Sequence, residues 1–285
     1  MDDILISIII PLYNKELFIE RCLDSIFSQY NERLEVIVVN DGSTDSSPNI
    51  VKNYTKGKVI FIDKENGGVS SARNAGISYA HGKWVMFMDA DDYFLNGIFP
   101  SLFDSIQRYS QYSVLMANFR TKEFDGSVRN SMNFNKECVI NKPLKLMWFR
   151  KITSRPGNTL IRKDAFDTIG KYDENLSYNE DQEFAIRLLS IFKPVVIPLP
   201  IMEYVKTPNS ASSILHPYDK NFVSKIPFIS IESKWTRLII YNIYVFWKKN
   251  SEAANNTVLI RKAFPIFFHF TYFINLVYRK LYSIF

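Results

Sequence analysis

The chain has 285 residues, 47% hydrophobic, 22% charged and 15% aromatic, enough apolar material to bury a sizeable core in one large domain or two smaller ones. Two cysteines, Cys22 and Cys138, exclude a disulfide framework or a cysteine-rich zinc site, and the scattered His81, His216 and His269 exclude clustered histidine ligation. The net charge of +6 is unevenly spread: residues 1–218 carry 25 Lys/Arg against 26 Asp/Glu, whereas residues 219–285 carry 10 against 3.

The N-terminus is acidic and runs straight into strand-like sequence, so no signal peptide is expected and a cytoplasmic setting is. Residues 6–10 form a continuous β-branched run, predicted as a strand covered on both faces. Over 15–29, Ile19, Cys22, Leu23, Ile26 and Phe27 recur at helical spacing, with Cys22 on the apolar face. A second strand, 35–39, ends in the turn cluster Asn40-Asp41-Gly42-Ser43. Residues 45–56 read as helix, 58–62 as strand and 69–80 as a helix closed by Gly82. A fourth strand, 84–88, runs into Asp89-Ala90-Asp91-Asp92. This alternation predicts a parallel sheet with right-handed crossovers and helices on both faces. After a strand at 113–119 the pattern loosens. Residues 124–135 read as a hairpin or loop, 143–150 as a short helix and 178–192 as a clear helix. A late strand is expected at 194–200, a polar loop at 207–213, and helix from Tyr218 onward.

In open parallel sheets, ligands bind beyond the carboxyl ends of the strands. Here those ends carry Pro11-Leu12-Tyr13-Asn14, Asn40-Asp41-Gly42-Ser43 and Asp89-Ala90-Asp91-Asp92. Three carboxylates in four residues repel one another and call for a cation. A divalent ion, Mg²⁺ or Mn²⁺, bridging to a diphosphate answers that need. The plainer alternative is solvated turn acids, with Asp92 capping the next helix. Asp41, alone, could be a simple turn residue. Residues 66–74 offer a tight turn into a helix N-terminus suited to an anion, without the glycine spacing of a dinucleotide site or the Lys-Ser/Thr of a P-loop.

Four segments together carry more than any one of them: Ser-Ile-Ile-Ile-Pro-Leu-Tyr-Asn, Val-Val-Asn-Asp-Gly-Ser-Thr-Asp, Asn-Gly-Gly-Val-Ser-Ser-Ala-Arg-Asn-Ala-Gly and Phe-Met-Asp-Ala-Asp-Asp. In that order and spacing they resemble the family-2 glycosyltransferases, inverting enzymes of the GT-A fold. The resemblance continues through Gly157-Asn158-Thr159-Leu160, Gly170-Lys171-Tyr172-Asp173-Glu174 and Glu180-Asp181-Gln182-Glu183-Phe184 and ends near residue 215. It implies an α/β, Rossmann-like GT-A sheet, mostly parallel, with helices on both faces; the residues beyond it read, from their own pattern, as a C-terminal helical extension. It implies a nucleotide-sugar donor with uridine as the base. Tyr13 would stack on the uracil, Pro11 would shape that strand exit, Asp41 would bond the uracil ring and Arg73 would contact the nucleotide. Asp89 and Asp91 would engage ribose and metal-bound diphosphate, with Asp91 the direct ligand; the role of Asp92 stays open.

An inverting displacement also needs a carboxylate facing the anomeric carbon from the side opposite the leaving diphosphate. Asn179 looks like a helix N-cap with Gln182 three residues on, so Glu180 and Asp181 could simply complement the helix dipole. The resemblance makes Asp181 the general base in preference to Glu180. His216 is either a surface residue or a third metal ligand.

The expected organisation is a catalytic domain over 1–218, its nucleotide-binding half about 1–120 and its acceptor half about 121–218, followed by an extension over 219–285. The extension holds 16 aromatic residues with its basic excess. A nucleic-acid binder would carry basic surface on the folded module, so no nucleic-acid partner is expected. The apolar runs 238–247 and 264–278 are too short to span a bilayer. They either pack on protein or lie against an anionic membrane surface on the inner face of the cell membrane. The expected acceptor is a glycan or lipid-linked glycan in cell-surface polysaccharide synthesis. A sugar nucleotidyltransferase and a non-catalytic nucleotide-sugar-binding scaffold are the competing classes. The first lacks its Gly-rich phosphate loop here, and the second has no use for Asp181.

Overall fold

The computed structural model describes residues 4–123, 125–205, 238 and 239. Its first block is β1 (Ile6–Leu12), α1 (Ile19–Phe27), β2 (Leu34–Asp41), α2 (Ser47–Lys52), β3 (Val59–Lys64), α3 (Val69–Tyr79) and β4 (Trp84–Phe87). The four strands lie in the order β3-β2-β1-β4, all parallel, with Ile8 level with Val36 on one side and Met86 on the other. Their unbroken apolar runs follow from two-sided burial. Ile9, Ile37, Val39, Val85 and Phe87 face a core completed by Ala72 and Ile77 of α3. Ile8, Ile10, Val36, Val38 and Met86 face the other, completed by Ile19, Cys22, Leu23 and Ile26 of α1. Cys22 is core, as its helical spacing predicts.

Beyond β4 the sheet becomes mixed. β5 (Tyr93–Phe94), α4 (Ile98–Arg108), β6 (Val114–Lys122), β7 (Val128–Asn130), β8 (Cys138–Val139), α5 (Pro143–Trp148), β9 (Thr159–Arg162), α6 (Ala165–Ile169), α7 (Glu180–Ile191) and β10 (Val195–Val205) follow. The strand order is β3-β2-β1-β4-β9-β6-β10-β5, with β7 on β6 and β8 on β10. β9 is wedged antiparallel between β4 and β6, while β6 and β10 run parallel. The α/β sheet covered by helices on both faces is therefore the fold that forms, with antiparallel strands added at its second half. β6 and β7 form a hairpin, so the stretch 124–135, expected as a hairpin or loop, supplies its second strand. Five elements escape the sequence pattern: β5, α4, β8, β9 and α6. β9 has only four residues, too few to show a period, and α4 opens at Gly97 in a left-handed conformation (φ 75°) with Pro100 in its first turn.

Leu238 and Ile239 are helical and buried, packed into the core that α5, α6 and α7 share. The loop 207–213, His216 and the rest of the extension lie outside the described residues. Among the described residues no helix is long and apolar enough to cross a membrane.

Candidate active site

The sheet brings three strand exits to one rim. β1 leaves through Tyr13, half exposed, and Asn14, whose φ of 51° turns the chain sharply. Asn14 Oδ1 accepts from the Thr44 N–H at 2.8 Å and the Asn14 N–H donates to Ser43 Oγ at 3.1 Å. The loops after β1 and β2 are thereby laced together. Pro11 stays in register with Val39 inside the sheet, so it fixes how Tyr13 emerges.

Asp41, at the end of β2, is 3% exposed. Its Oδ1 accepts from Lys64 Nζ at 2.7 Å and the Gly67 N–H at 3.0 Å, and its Oδ2 from the Gly68 N–H at 2.8 Å. Three of a carboxylate's roughly four lone-pair sites are thus filled within the chain. Asp41 pins the Gly67-Gly68 turn that starts α3, where Gly68 has a φ of 87°. Its first observed role is the turn, with one acceptor site left.

Arg73, on α3, is 3% exposed and forms the central contact. One Nη donates to Asp89 Oδ1 and the other to Glu180 Oε1, both at 3.0 Å. Its guanidinium lies over the Tyr172 ring at 5.1 Å, and Tyr172 stacks on Phe184 of α7 at 4.2 Å. The acids after β4 and the first turn of α7, 91 positions apart from Asp89 to Glu180, are therefore brought to one guanidinium. Arg73, expected from the resemblance to contact the nucleotide, is buried between two carboxylates.

The other acids differ in setting. Asp91 pairs with Lys15 Nζ at 2.6 Å, both side chains about one-third exposed, and its carbonyl accepts from Arg21 at 2.8 Å. An ion pair so exposed contributes little, about 0–1 kcal/mol. Asp89 and Asp91 each keep one oxygen outside these pairs. Magnesium-type sites use one or two carboxylates together with substrate phosphates, so this donor set fits a divalent ion bridging to a diphosphate. Among the described residues no group of three or more His, Cys, Asp or Glu could hold a metal unaided. Asp92 is 4% exposed, with Oδ2 buried and unpartnered. Burial pushes its pKa well up against the opposing pull of Arg155, while Asp89 and Asp91 add repulsion.

At the start of α7, Asn179 takes the N-cap position in a left-handed conformation (φ 59°), but its side chain does not cap the helix. Asp181 Oδ1 accepts the Gln182 N–H at 2.8 Å instead. The Asp181 pKa is pushed up to about 6 by burial and by neighbouring Glu180, against the pull of Arg73 and Arg155. Sequence reasoning missed Lys15, Arg21 and Arg155. Lys15 directly follows the first strand-exit motif and could have been found there. Arg155 comes from a loop with no pattern of its own.

The model for glycosyl transferase family 2 matches residues 7–170. The uncharacterized glycosyltransferase EpsJ of Bacillus subtilis (strain 168) is 31% identical over 79% of this chain and 69% of its own. The minor teichoic acid biosynthesis protein GgaB of the same organism is 31% identical over 65% of this chain, which spans only 21% of GgaB. Among solved structures, residues 1–349 of S. aureus TarS in complex with UDP-GlcNAc superpose with a TM-score of 0.71 at 22% identity, over 86% of this chain and 74% of that one.

Proposed function

The chain belongs to glycosyl transferase family 2 and is a glycosyltransferase, and from that premise we propose that it moves a single sugar, with inversion, from a UDP-sugar to a glycan or lipid-linked glycan in cell-surface polysaccharide synthesis. The donor class is supported by the UDP-GlcNAc held by the similar TarS fold and the acceptor class by GgaB. In this reading Tyr13 stacks on the base at the rim, Pro11 holds that exit, and Asp41 offers its remaining acceptor site to the uracil. Asp89 and Asp91 would hold Mn²⁺ or Mg²⁺, which would supply charge neutralisation at the diphosphate. Arg73 acts behind the site, fixing Asp89 and the start of α7. Asp181 takes the proton of the acceptor hydroxyl as that oxygen attacks the anomeric carbon from the face opposite the leaving group.

The observation that carries this reading is the Arg73 bridge. A donor-side acid, Asp89, and the acid next to the base, Glu180, share one guanidinium at 3.0 Å each. The catalytic unit is assigned to residues 1–218, its nucleotide half about 1–120 and its acceptor half about 121–218, with 219–285 as a membrane-contacting extension on the cytoplasmic side. A panel of nucleotide sugars, followed by thermal shift and donor hydrolysis with Mn²⁺ and again with chelator, tests the assignment. UDP-sugars are expected to stabilise the protein and to be turned over only with metal. Selective response to another nucleotide, or full turnover in chelator, rejects the corresponding part.

A further inference from the structure

We propose that Arg155 binds the distal phosphate of the donor, forming the positive wall between the Asp89–Asp92 cluster and Asp181. The inference rests on the donor reading above and adds a residue to it.

The loop that carries Arg155 is built tightly against the end of β4. The Gly157 N–H donates to the Phe87 carbonyl at 2.5 Å, and Gly157 itself, at a φ of 88°, packs against Met202 so closely that a Cβ would collide with the sulfur. Asn158 locks the loop from inside. Its Oδ1 accepts the Arg155 N–H at 2.9 Å, and its Nδ2 donates to the carbonyls of Thr153 at 2.8 Å and Ala117 at 3.0 Å. The side chain is then gripped by rings: its guanidinium lies 3.7 Å from the Tyr204 ring centroid and 5.4 Å from that of Phe119. Such stacking fixes a planar cation while leaving its edge donors available.

One donor of that edge is unsatisfied. Arg155 Nε is buried without a hydrogen-bond partner, and so is Asp92 Oδ2. Arg155 nevertheless lies near enough to Asp92 and to Asp181 to act electrostatically on both. A buried donor left without a partner costs free energy, so such a site is completed by an acceptor arriving with a ligand. The group that must lie between metal acids and base during inversion is the bond from the anomeric carbon to the distal phosphate. As the acceptor oxygen forms its bond to that carbon, the carbon–oxygen bond to the phosphate breaks. Its electron pair stays on the phosphate oxygen, and the hydroxyl proton passes to Asp181. A guanidinium fork matches the resulting terminal phosphate and stabilises its added charge.

The full-length protein is titrated calorimetrically with the mono- and diphosphates of uridine, adenosine, guanosine and thymidine, each with Mg²⁺, for the wild type, Arg155→Met and Arg155→Lys. Arg155→Met should weaken the favoured nucleoside diphosphate by at least about tenfold while sparing the monophosphate, and Arg155→Lys should recover part of the loss. Tyr204→Leu, which removes one of the two rings but leaves the charge, should weaken the diphosphate to a smaller degree. Equal losses for mono- and diphosphate, or no loss in a variant with wild-type circular dichroism, overturn the proposal. If Arg155→Met fails to fold, the Arg155→Lys and Tyr204→Leu pair decides by the same mono- against diphosphate comparison. Wild-type protein that binds none of the eight nucleotides would instead remove the donor reading itself, and this proposal with it.

Discussion

The Asp181 carboxyl group lies beside one repelling acid, Glu180, and under the pull of two guanidinium groups, Arg73 and Arg155, in surroundings whose burial raises its pKa to about 6. A base must be unprotonated to work, so transfer should rise with pH through about 6 and fall about tenfold per unit below it. Glu180→Gln removes the repulsion and releases Arg73 toward Asp181, and both effects favour the charged carboxylate. The acid limb should then move to lower pH, and an unmoved limb would refute the coupling. Asp181→Asn should leave donor affinity intact and lower turnover by about 10²–10⁴-fold, the usual worth of general-base help; near-normal turnover ends the assignment. The same shift has a thermodynamic consequence. The folded state holds this proton up to a higher pH than the unfolded chain does, so stability present in acid is lost as pH rises through about 6. Asp181→Asn should therefore gain thermal stability over the wild type at pH 7.5, a gain that shrinks toward pH 5 in melting experiments.

Elements meet at this site through Arg73. It joins α3 to the exit of β4 and to the first turn of α7 while remaining 3% exposed. Arg73→Met would leave Asp89 and Glu180 facing each other without their shared cation. Breaking a buried ionic group in this way costs about 3–5 kcal/mol, to be read as a lower midpoint in urea unfolding. A loss below about 1 kcal/mol would mean that solvent reaches the triad. The parallel half of the fold was legible because two-sided burial writes itself as unbroken β-branched runs, such as Ile8–Ile10, each followed by amphipathic spacing. The second half was not, because β5, β8 and β9 have two, two and four residues and derive their order from neighbours rather than from a period. At the site, Asp89, Asp91 and Asp181 stood out as acids where chain order puts strand or helix ends. What Arg73 touches was hidden, since its partners lie 16 and 107 positions away. Arg155 was hidden for the same reason, and its aromatic grip comes from Phe119 and Tyr204 on separate strands.

At the scale of the whole molecule, residues 1–218 are close to charge balance and residues 219–285 carry seven excess positive charges. Cutting the chain near residue 218 is a poor test of membrane contact, because Leu238 and Ile239 complete the core around α5, α6 and α7. Removal would expose apolar surface and confuse misfolding with lost binding. The two roles separate by substitution. Leu238→Ala should cost about 2–5 kcal/mol of stability, as truncation of a buried leucine does, without changing vesicle affinity. Replacing Lys248, Lys249, Arg261, Lys262, Arg279 and Lys280 together by Gln should leave the melting temperature nearly unchanged. Each basic group near an anionic surface contributes about 1 kcal/mol, so this variant should lose binding to vesicles of phosphatidylglycerol and phosphatidylcholine. Wild-type binding should weaken in parallel as salt rises, because screening acts on the same attraction. Equal sedimentation of the wild type and the six-fold variant with those vesicles would assign the extension to protein contacts, and the basic excess would then need a different partner.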